Sequence, residues 1–298
     1  MKTILIFGGY GFVGNELFNN LISKNFKVYR YTSQKKIFKS RCIKYSLSNF
    51  KKLITNLKPE CIFFLSGNSY PLFSKDNHLL DIKKNNLILQ NFLEAAKQTN
   101  FKGKIIYSSS IGVYGTIKAK KVKENFNKLN PESYYALSKI NAEQQCLFYS
   151  NNFKLKIIVL RLCSIFGPGL KRQVIFDLIK RILSKDKIIE MRGAKHDARE
   201  MMSVKDLVKI LSLIIKSKIN SGIYNIGTNK QIKILDIINY LNEKQKTKKK
   251  IIFTNEFRFP NFAKLDVKKI NKELKKNFKF NFFRDLNETL DFWRKKGL

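Results

Sequence analysis

The sequence predicts an α/β protein: a parallel sheet covered by helices on both faces, with a smaller and looser lobe toward the C-terminus. Three observations predict it. Short runs rich in β-branched and aromatic residues alternate with longer stretches of helical periodicity. Those short runs are apolar throughout instead of alternating with polar residues, as strands buried on both faces are. A glycine-rich turn joins the first run to the first helical stretch.

Thr3-Ile4-Leu5-Ile6-Phe7 reads as the first strand, and Gly8-Gly9-Tyr10-Gly11-Phe12-Val13-Gly14 follows it directly. Phe12, Val13, Leu17, Leu21 and Ile22 then recur at helical spacing. Strand, glycine turn and helix in that order are the fingerprint of a dinucleotide site on a Rossmann-type doubly wound sheet. Gly8 or Gly9 permits the tight turn, Gly11 lets backbone approach a pyrophosphate, and Gly14 lets helix and strand pack closely. The phosphate charge falls on the helix N-terminus, with Phe12 and Val13 in its first turn.

A second strand is expected at Lys27-Val28-Tyr29-Arg30-Tyr31. An NAD site usually carries Asp or Glu about 20 residues beyond the glycines, to hold the ribose hydroxyls. This chain has Thr32-Ser33-Gln34-Lys35-Lys36 there, so two hydroxyls and two lysines, with Arg30 nearby, favour NADP(H) over NAD(H).

Further strands are expected at Cys61–Leu65, Lys104–Tyr107 and Lys156–Arg161, with helices at Leu79–Thr99 and Tyr135–Tyr149 between them. After Gly167-Pro168-Gly169 the pattern loosens into shorter helical pieces: Val174–Ser184, Val204–Ser217 and Ile234–Leu241. The expected division is a dinucleotide-binding unit at 1–165 plus about 204–228, with 166–203 and 229–298 as a lobe covering the substrate.

Tyr135 and Lys139 lie in Ser133-Tyr134-Tyr135-Ala136-Leu137-Ser138-Lys139. Four residues apart on a helix they share a face, so the ammonium sits near the phenol. A free phenol has a pKa of about 10, and a neighbouring cation favours its ionised form, moving it toward working pH. With the glycine turn in the same chain, the pair points to redox chemistry.

Composition narrows the classes. The chain has 298 residues and a formal charge of +37. Lysine outnumbers arginine about five to one, and Asn, Ile and Phe are also abundant. Nucleic-acid readers lean on arginine for bidentate contacts, so the charge reflects compositional bias and no specific nucleic-acid recognition is expected. The basic run at 243–250 reads as a helix end and solvated loop before a strand at Ile251–Phe253. Cys42, Cys61, Cys146 and Cys163 are far apart without a C-x-x-C spacing, which argues against a disulfide framework or zinc site and fits a reducing cytoplasm. His78 and His196 are the only histidines and neither lies near a nucleophile, so no metal site and no Ser-His-Asp hydrolase are expected. No long apolar span indicates membrane insertion.

Seven stretches occur in the order of one known family: the glycine turn, Asn85–Ala96, Tyr107–Gly115, Tyr135–Lys139, Arg161–Gly169, Arg199–Val204 and Gly222–Gly227. The chain resembles an extended short-chain dehydrogenase/reductase of the NAD(P)-dependent nucleotide-sugar epimerase/dehydratase family over most of its length. The resemblance implies that Ser110 hydrogen-bonds the reacting sugar oxygen and Tyr135 exchanges a proton with it. Lys139 would hold the nicotinamide ribose and depress the tyrosine pKa. Arg199 would meet the diphosphate with its guanidinium fork, and Ser164 would touch the sugar. The same likeness extends the cofactor contacts to Leu47, Leu65, Ser66 and Leu162. It makes the C-terminal lobe the sugar-nucleotide site and implies a homodimer through the helices at 79–99 and 135–149.

Departures from the family narrow the reaction. Dehydratases of this kind carry acidic residues after the catalytic Ser or Thr, where this chain has Ile111 and Gly112. The cysteine and histidine of members that epimerise C3 and C5 correspond to Gly112 and Gly169. Ser164 replaces an asparagine usual in that stretch. The expected activity is NADP(H)-dependent reduction of a 4-keto sugar nucleotide. The alternative is 4-epimerisation with tightly bound NAD(P), of the UDP-glucose 4-epimerase type.

Overall fold

The computed structural model of the protein describes residues 1–33, 42–68, 78–117, 119–191, 193–254 and 263–298. Strands β1 (Thr3–Phe7), β2 (Lys27–Tyr31), β3 (Cys61–Phe64), β4 (Lys104–Ser110), β6 (Lys156–Leu162) and β10 (Gly222–Ile226) form one sheet in the order β10-β6-β4-β3-β1-β2. All five pairings are parallel. The chain leaves β1 toward β2 on one side and returns to β3 on the other. This reversal opens a crevice at the carboxyl ends of the strands, where ligands of doubly wound sheets bind.

Alternation along β1 shows why its apolar run is continuous. Ile4 and Ile6 face one core with Leu17, Leu21, Leu207 and Leu211, supplied by helices α1 (Phe12–Ile22) and α7 (Val204–Lys216). Leu5 and Phe7 face the other, under α2 (Leu47–Leu57), α4 (Ile88–Gln98) and α5 (Tyr134–Phe153). That second core is aromatic: Phe7 packs edge-on against Phe50 and Phe92 at 4.9 and 5.5 Å, and Phe92 stacks on Phe64 at 4.9 Å. Edge-to-face and offset contacts at these distances add to the stabilisation from burial alone.

A third apolar cluster lies in the C-terminal part, between α6 (Gln173–Leu183), α8 (Ile234–Gln245) and α10 (Phe282–Lys295), with Trp293 among Leu178, Ile182 and Leu241. Short strands edge it: β7 (Ser164–Phe166), β9 (Ala198–Ser203) and β11 (Gln231–Lys233) form one sheet, and β8 (Ile188–Met191) pairs with β12 (Lys250–Phe253). A two-residue pairing of β5 (Lys121–Val122) with β13 (Lys264–Leu265), followed by α9 (Lys268–Leu274), completes the described elements. The helix expected at Leu79–Thr99 is present as three segments: α3 (His78–Asp81), a π-helical stretch at Ile82–Leu87, and α4. The π-helical stretch carries the consecutive residues Asn85 and Asn86, both buried.

Helix α5 is pinned to the sheet by a buried ion pair. Arg161 on β6 grips Glu143 on α5, with Nε 3.0 Å from Oε1 and Nη2 2.6 Å from Oε2. Both side chains are at most 3% exposed. Ser109 on β4 donates to the same carboxylate at 2.5 Å, and the guanidinium lies 4.7 Å from the centre of the Tyr114 ring. Arg161→Met should leave Glu143 charged and unpaired in the core and cost about 3–5 kcal/mol. Urea denaturation should show that loss, and Arg161→Met with Glu143→Met should recover most of it.

Candidate active site

The crevice is a single cavity of about 1460 Å³ running from the glycine turn to the C-terminal lobe. At one end, Gly8 takes a left-handed φ of 79°, and a Cβ there would sit 2.8 Å from the Leu65 carbonyl carbon. A Cβ on Gly14 would overlap the Gly8 carbonyl oxygen, so both positions require glycine. Helix α1 begins at Gly11 without a side-chain cap, which leaves the N–H groups of its first turn facing the cavity beside Phe12 and Val13.

Thr32 and Ser33 line this end, as do Leu65 and Ser66 from the end of β3. Lys35, the lysine expected to join them, lies outside the described residues. Leu47 is the first residue of α2 and packs against the aromatic core instead of joining the described cavity lining. Arg30 is tied up elsewhere: its Nη1 donates to Asn15 at 2.7 Å, and its guanidinium lies 3.9 Å from the Phe18 ring centre and 4.3 Å from that of Tyr10.

The catalytic candidates meet at the middle. Ser110 ends β4, and a 3-10 turn at Ile111–Tyr114 brings the Gly112 N–H to its Oγ at 3.1 Å. Ser110 also hydrogen-bonds the Tyr135 hydroxyl. Tyr135 lies in the first turn of α5, where Ser133 caps the helix by accepting from the Ala136 N–H. Lys139, one turn on, is 4% exposed. Its ammonium donates to the Ser108 carbonyl at 2.8 Å and the Tyr107 hydroxyl at 3.1 Å.

The electrostatics correct one expectation. Burial pushes the Tyr135 pKa up, opposed by the Ser110 hydrogen bond and the charge of Arg172, while Asp81 adds to the rise. Lys139 does not supply the expected depression; its Nζ lies 5.8 Å from the Tyr135 ring centre, on the Tyr107 side. Burial lowers the Lys139 pKa to about 8, against the opposing influence of Cys146, Glu143 and Asp81. Desolvation outweighs the pairwise attraction that sequence spacing alone implies.

Tyr135 is also held from the side. Asn85 donates to Ser138 at 2.9 Å, Ser138 donates to the Tyr135 carbonyl at 2.8 Å, and Asn86 donates to the Ser138 carbonyl at 2.8 Å. Asn68, after β3, donates through its backbone to Asn85 at 2.8 Å and through its amide to the buried Asp81 at 2.6 Å.

Leu162, Ser164 and Arg199 line the far end. Burial lowers the Arg199 pKa, against the charge of Asp197. The neighbouring Glu200 faces the opposite side of β9, where it accepts from Asn229 at 2.6 Å and Leu265 at 2.7 Å. Arg172, which precedes α6, and Lys83 and Lys84 also line the cavity and were not singled out in the sequence. The lysine-rich background hid them, although Arg172 follows the Gly167-Pro168-Gly169 stretch closely. Among the described residues, no group of His, Cys, Asp and Glu is arranged to hold a metal.

Comparisons with known proteins agree with this geometry. Residues 4–227 match the model of the NAD dependent epimerase/dehydratase family. The dTDP-4-dehydro-6-deoxyglucose reductase of Escherichia coli is 24% identical over 290 residues, covering 91% of each chain. A UDP-glucose 4-epimerase from Thermotoga maritima, solved with UDP-glucose, superposes with a TM-score of 0.88 at 22% identity over 99% of this chain and 100% of that one. RMD from Pseudomonas aeruginosa, solved with NADPH, gives 0.85 at 20% identity over the same shares.

Tyr135→Phe removes one hydroxyl and little volume, so turnover should fall by about 10²–10⁴-fold while cofactor affinity stays near wild type. Lys139→Ala should weaken both. Steady-state kinetics with cofactor titration check the pair, and a Tyr135→Phe rate above roughly a tenth of wild type contradicts the assignment.

Proposed function

The chain belongs to the NAD dependent epimerase/dehydratase family, and from that premise we propose that it is an NADP(H)-dependent reductase of a 4-keto sugar nucleotide, with Tyr135 as the general acid. The observation that carries the reading is the cofactor end of the cavity, where Thr32 and Ser33 stand with no carboxylate among the described lining residues of that end. Reduction of a ketone consumes a proton at oxygen. A phenol whose pKa is pushed up by burial, hydrogen-bonded to Ser110, keeps its proton at neutral pH and has it ready to give.

The glycine turn, the open N-terminus of α1 and the hydroxyls of Thr32 and Ser33 fit a dinucleotide. That pocket end has no carboxylate among its described lining residues, which supports a 2′-phosphate. When bound, the dinucleotide supplies the hydride. Ser110 orients the carbonyl oxygen, Tyr135 gives it a proton, and Lys139 turns its remaining N–H toward the ribose. Arg199 and Ser164 line the cavity, which supports Arg199 as the guanidinium fork for the diphosphate and Ser164 as a sugar contact. Ile111 is apolar and Gly112 has no side chain, so neither is an acid or base for C3 or C5.

With a 4-keto-6-deoxy sugar nucleotide, the enzyme should consume one NADPH per sugar and stop at a single 4-hydroxy epimer. Label from NADPH deuterated at C4 should appear at sugar C4 only. NADPH should bind more tightly than NADH in titration calorimetry, by about 1.5–3 kcal/mol for well-formed charge-assisted hydrogen bonds. Interconversion of two 4-hydroxy sugars without added cofactor would falsify the reductase reading and leave 4-epimerisation.

We further propose a homodimer. Leu79, Ile82 and Leu87 on the helical stretch at 78–98, and Phe148 on the adjoining α5, are between 52% and 75% exposed. Adjoining helices that share such a surface form an apolar face suited to a second copy. Light scattering should give twice the chain mass, and Phe148→Glu should halve it; a wild-type protein at the mass of one chain rejects the dimer.

A further inference from the structure

Lys139 is held by a residue outside the motif that contains it. An ammonium has three N–H donors. Two are taken by the Ser108 carbonyl and the Tyr107 hydroxyl, at 2.8 and 3.1 Å. Tyr107 lies on β4, is 1% exposed, and packs with its ring 6.4 Å from that of Phe64. The Lys139 nitrogen sits 4.8 Å from the Tyr107 ring centre and 5.8 Å from that of Tyr135. The cation thus lies between a phenol rooted in the aromatic core and a phenol lining the cavity, with one donor left for the cavity.

A hydroxyl in an aromatic core is costly without a partner, and phenylalanine would fill the same space. We propose that Tyr107 is a positioning residue for proton transfer: its hydroxyl oxygen accepts from Lys139, aims the remaining N–H at the cavity and keeps the lysine in its ammonium form. This rests on the reading of Tyr135 and Lys139 as the acid–base pair.

The other groups around Lys139 do not replace it. Glu143, on the same helix, is occupied by Arg161 and Ser109. Asp81, from α3, accepts from Asn68 through Oδ1, and its buried Oδ2 has no hydrogen-bond partner among the described residues, so it makes no bond to Lys139. Burial pushes the Cys146 thiol, also on α5, far up, so it stays neutral. Burial likewise raises the Tyr107 pKa well above its ordinary value, which keeps that hydroxyl neutral beside the cation. The Lys139 pKa of about 8 leaves little margin. Without the Tyr107 oxygen the ammonium keeps one protein acceptor and loses its proton at lower pH.

Tyr107→Phe, which keeps the ring and deletes the oxygen, tests this in the full chain. Activity that needs the ammonium is lost as pH rises through the Lys139 pKa, so the alkaline limb of the kcat profile should lie near pH 8 in the wild type. In Tyr107→Phe it should move to lower pH by about one unit, with the cofactor KM several-fold higher. At about pH 6, where the lysine is protonated in both, kcat should return to within roughly threefold of wild type. A merely structural role would lower activity equally at every pH.

3-Fluorotyrosine at position 107 provides a second variant if Tyr107→Phe does not fold. Its oxygen is a poorer acceptor in an almost unchanged shape, so the limb should move the same way by less. A folded variant of either kind with the wild-type limb and cofactor KM overturns the proposal. If Tyr135→Phe is inactive in the same assay, only the role of Tyr107 has failed; if Tyr135→Phe is active, the underlying acid–base reading has failed.

Discussion

The candidate active site depends on how helix α5 is fixed to the sheet, and the buried Glu143–Arg161 pair ties the two together. Glu143 is one turn beyond Lys139, which is one turn beyond Tyr135, so all three share a face of the helix. Arg161 and Ser109 anchor that face to two neighbouring strands, β6 and β4. The carboxylate gains three charge-assisted hydrogen bonds from Arg161, so the charges are both paired and bonded, as burial requires. Asn85 and Asn86 clamp Ser138 from the side. A helix held along two directions presents its tyrosine in one position, which proton transfer over hydrogen-bond distances demands.

The same burial sets the chemistry. A net charge of +37 suggests a site flooded with positive potential. Locally, desolvation is stronger: it pulls Lys139 down and pushes Tyr135 up. The pair therefore stands with its phenol protonated and its lysine near the point of losing charge. Lys104 shows the same effect in a structural setting. Its ammonium on β4 caps the end of α7, donating to the carbonyls of Ile214, Ile215 and Ser217, while burial lowers its pKa.

Much of the site was legible because its parts are local. The glycine turn, the Tyr135–Lys139 pair and the serine at the end of β4 are each set by the spacing of a few residues. Apart from the strand expected at Ile251–Phe253, the short strands and the helices at Leu47–Leu57, Lys268–Leu274 and Phe282–Lys295 were not legible. They form against partners distant in sequence, and lysines interrupt the apolar faces of Leu47–Leu57 and Lys268–Leu274. Arg30 illustrates a different limit. Spacing put a cation near the ribose, but only the packed structure shows Phe18, Tyr10 and Asn15 gathered around it.

The sequence by itself determined the parallel sheet, the dinucleotide turn and the placing of the candidate acid–base residues on one helix face, because periodicity and glycine stereochemistry act within one strand–turn–helix unit or one helical turn. Tertiary structure alone decided the protonation of those residues and what holds them. Desolvation depends on every atom packed around a charge. The partners of Lys139 and Glu143 come from strands up to 34 residues away in the chain. Tyr107 looks in sequence like any strand aromatic; only the fold puts its hydroxyl against Lys139.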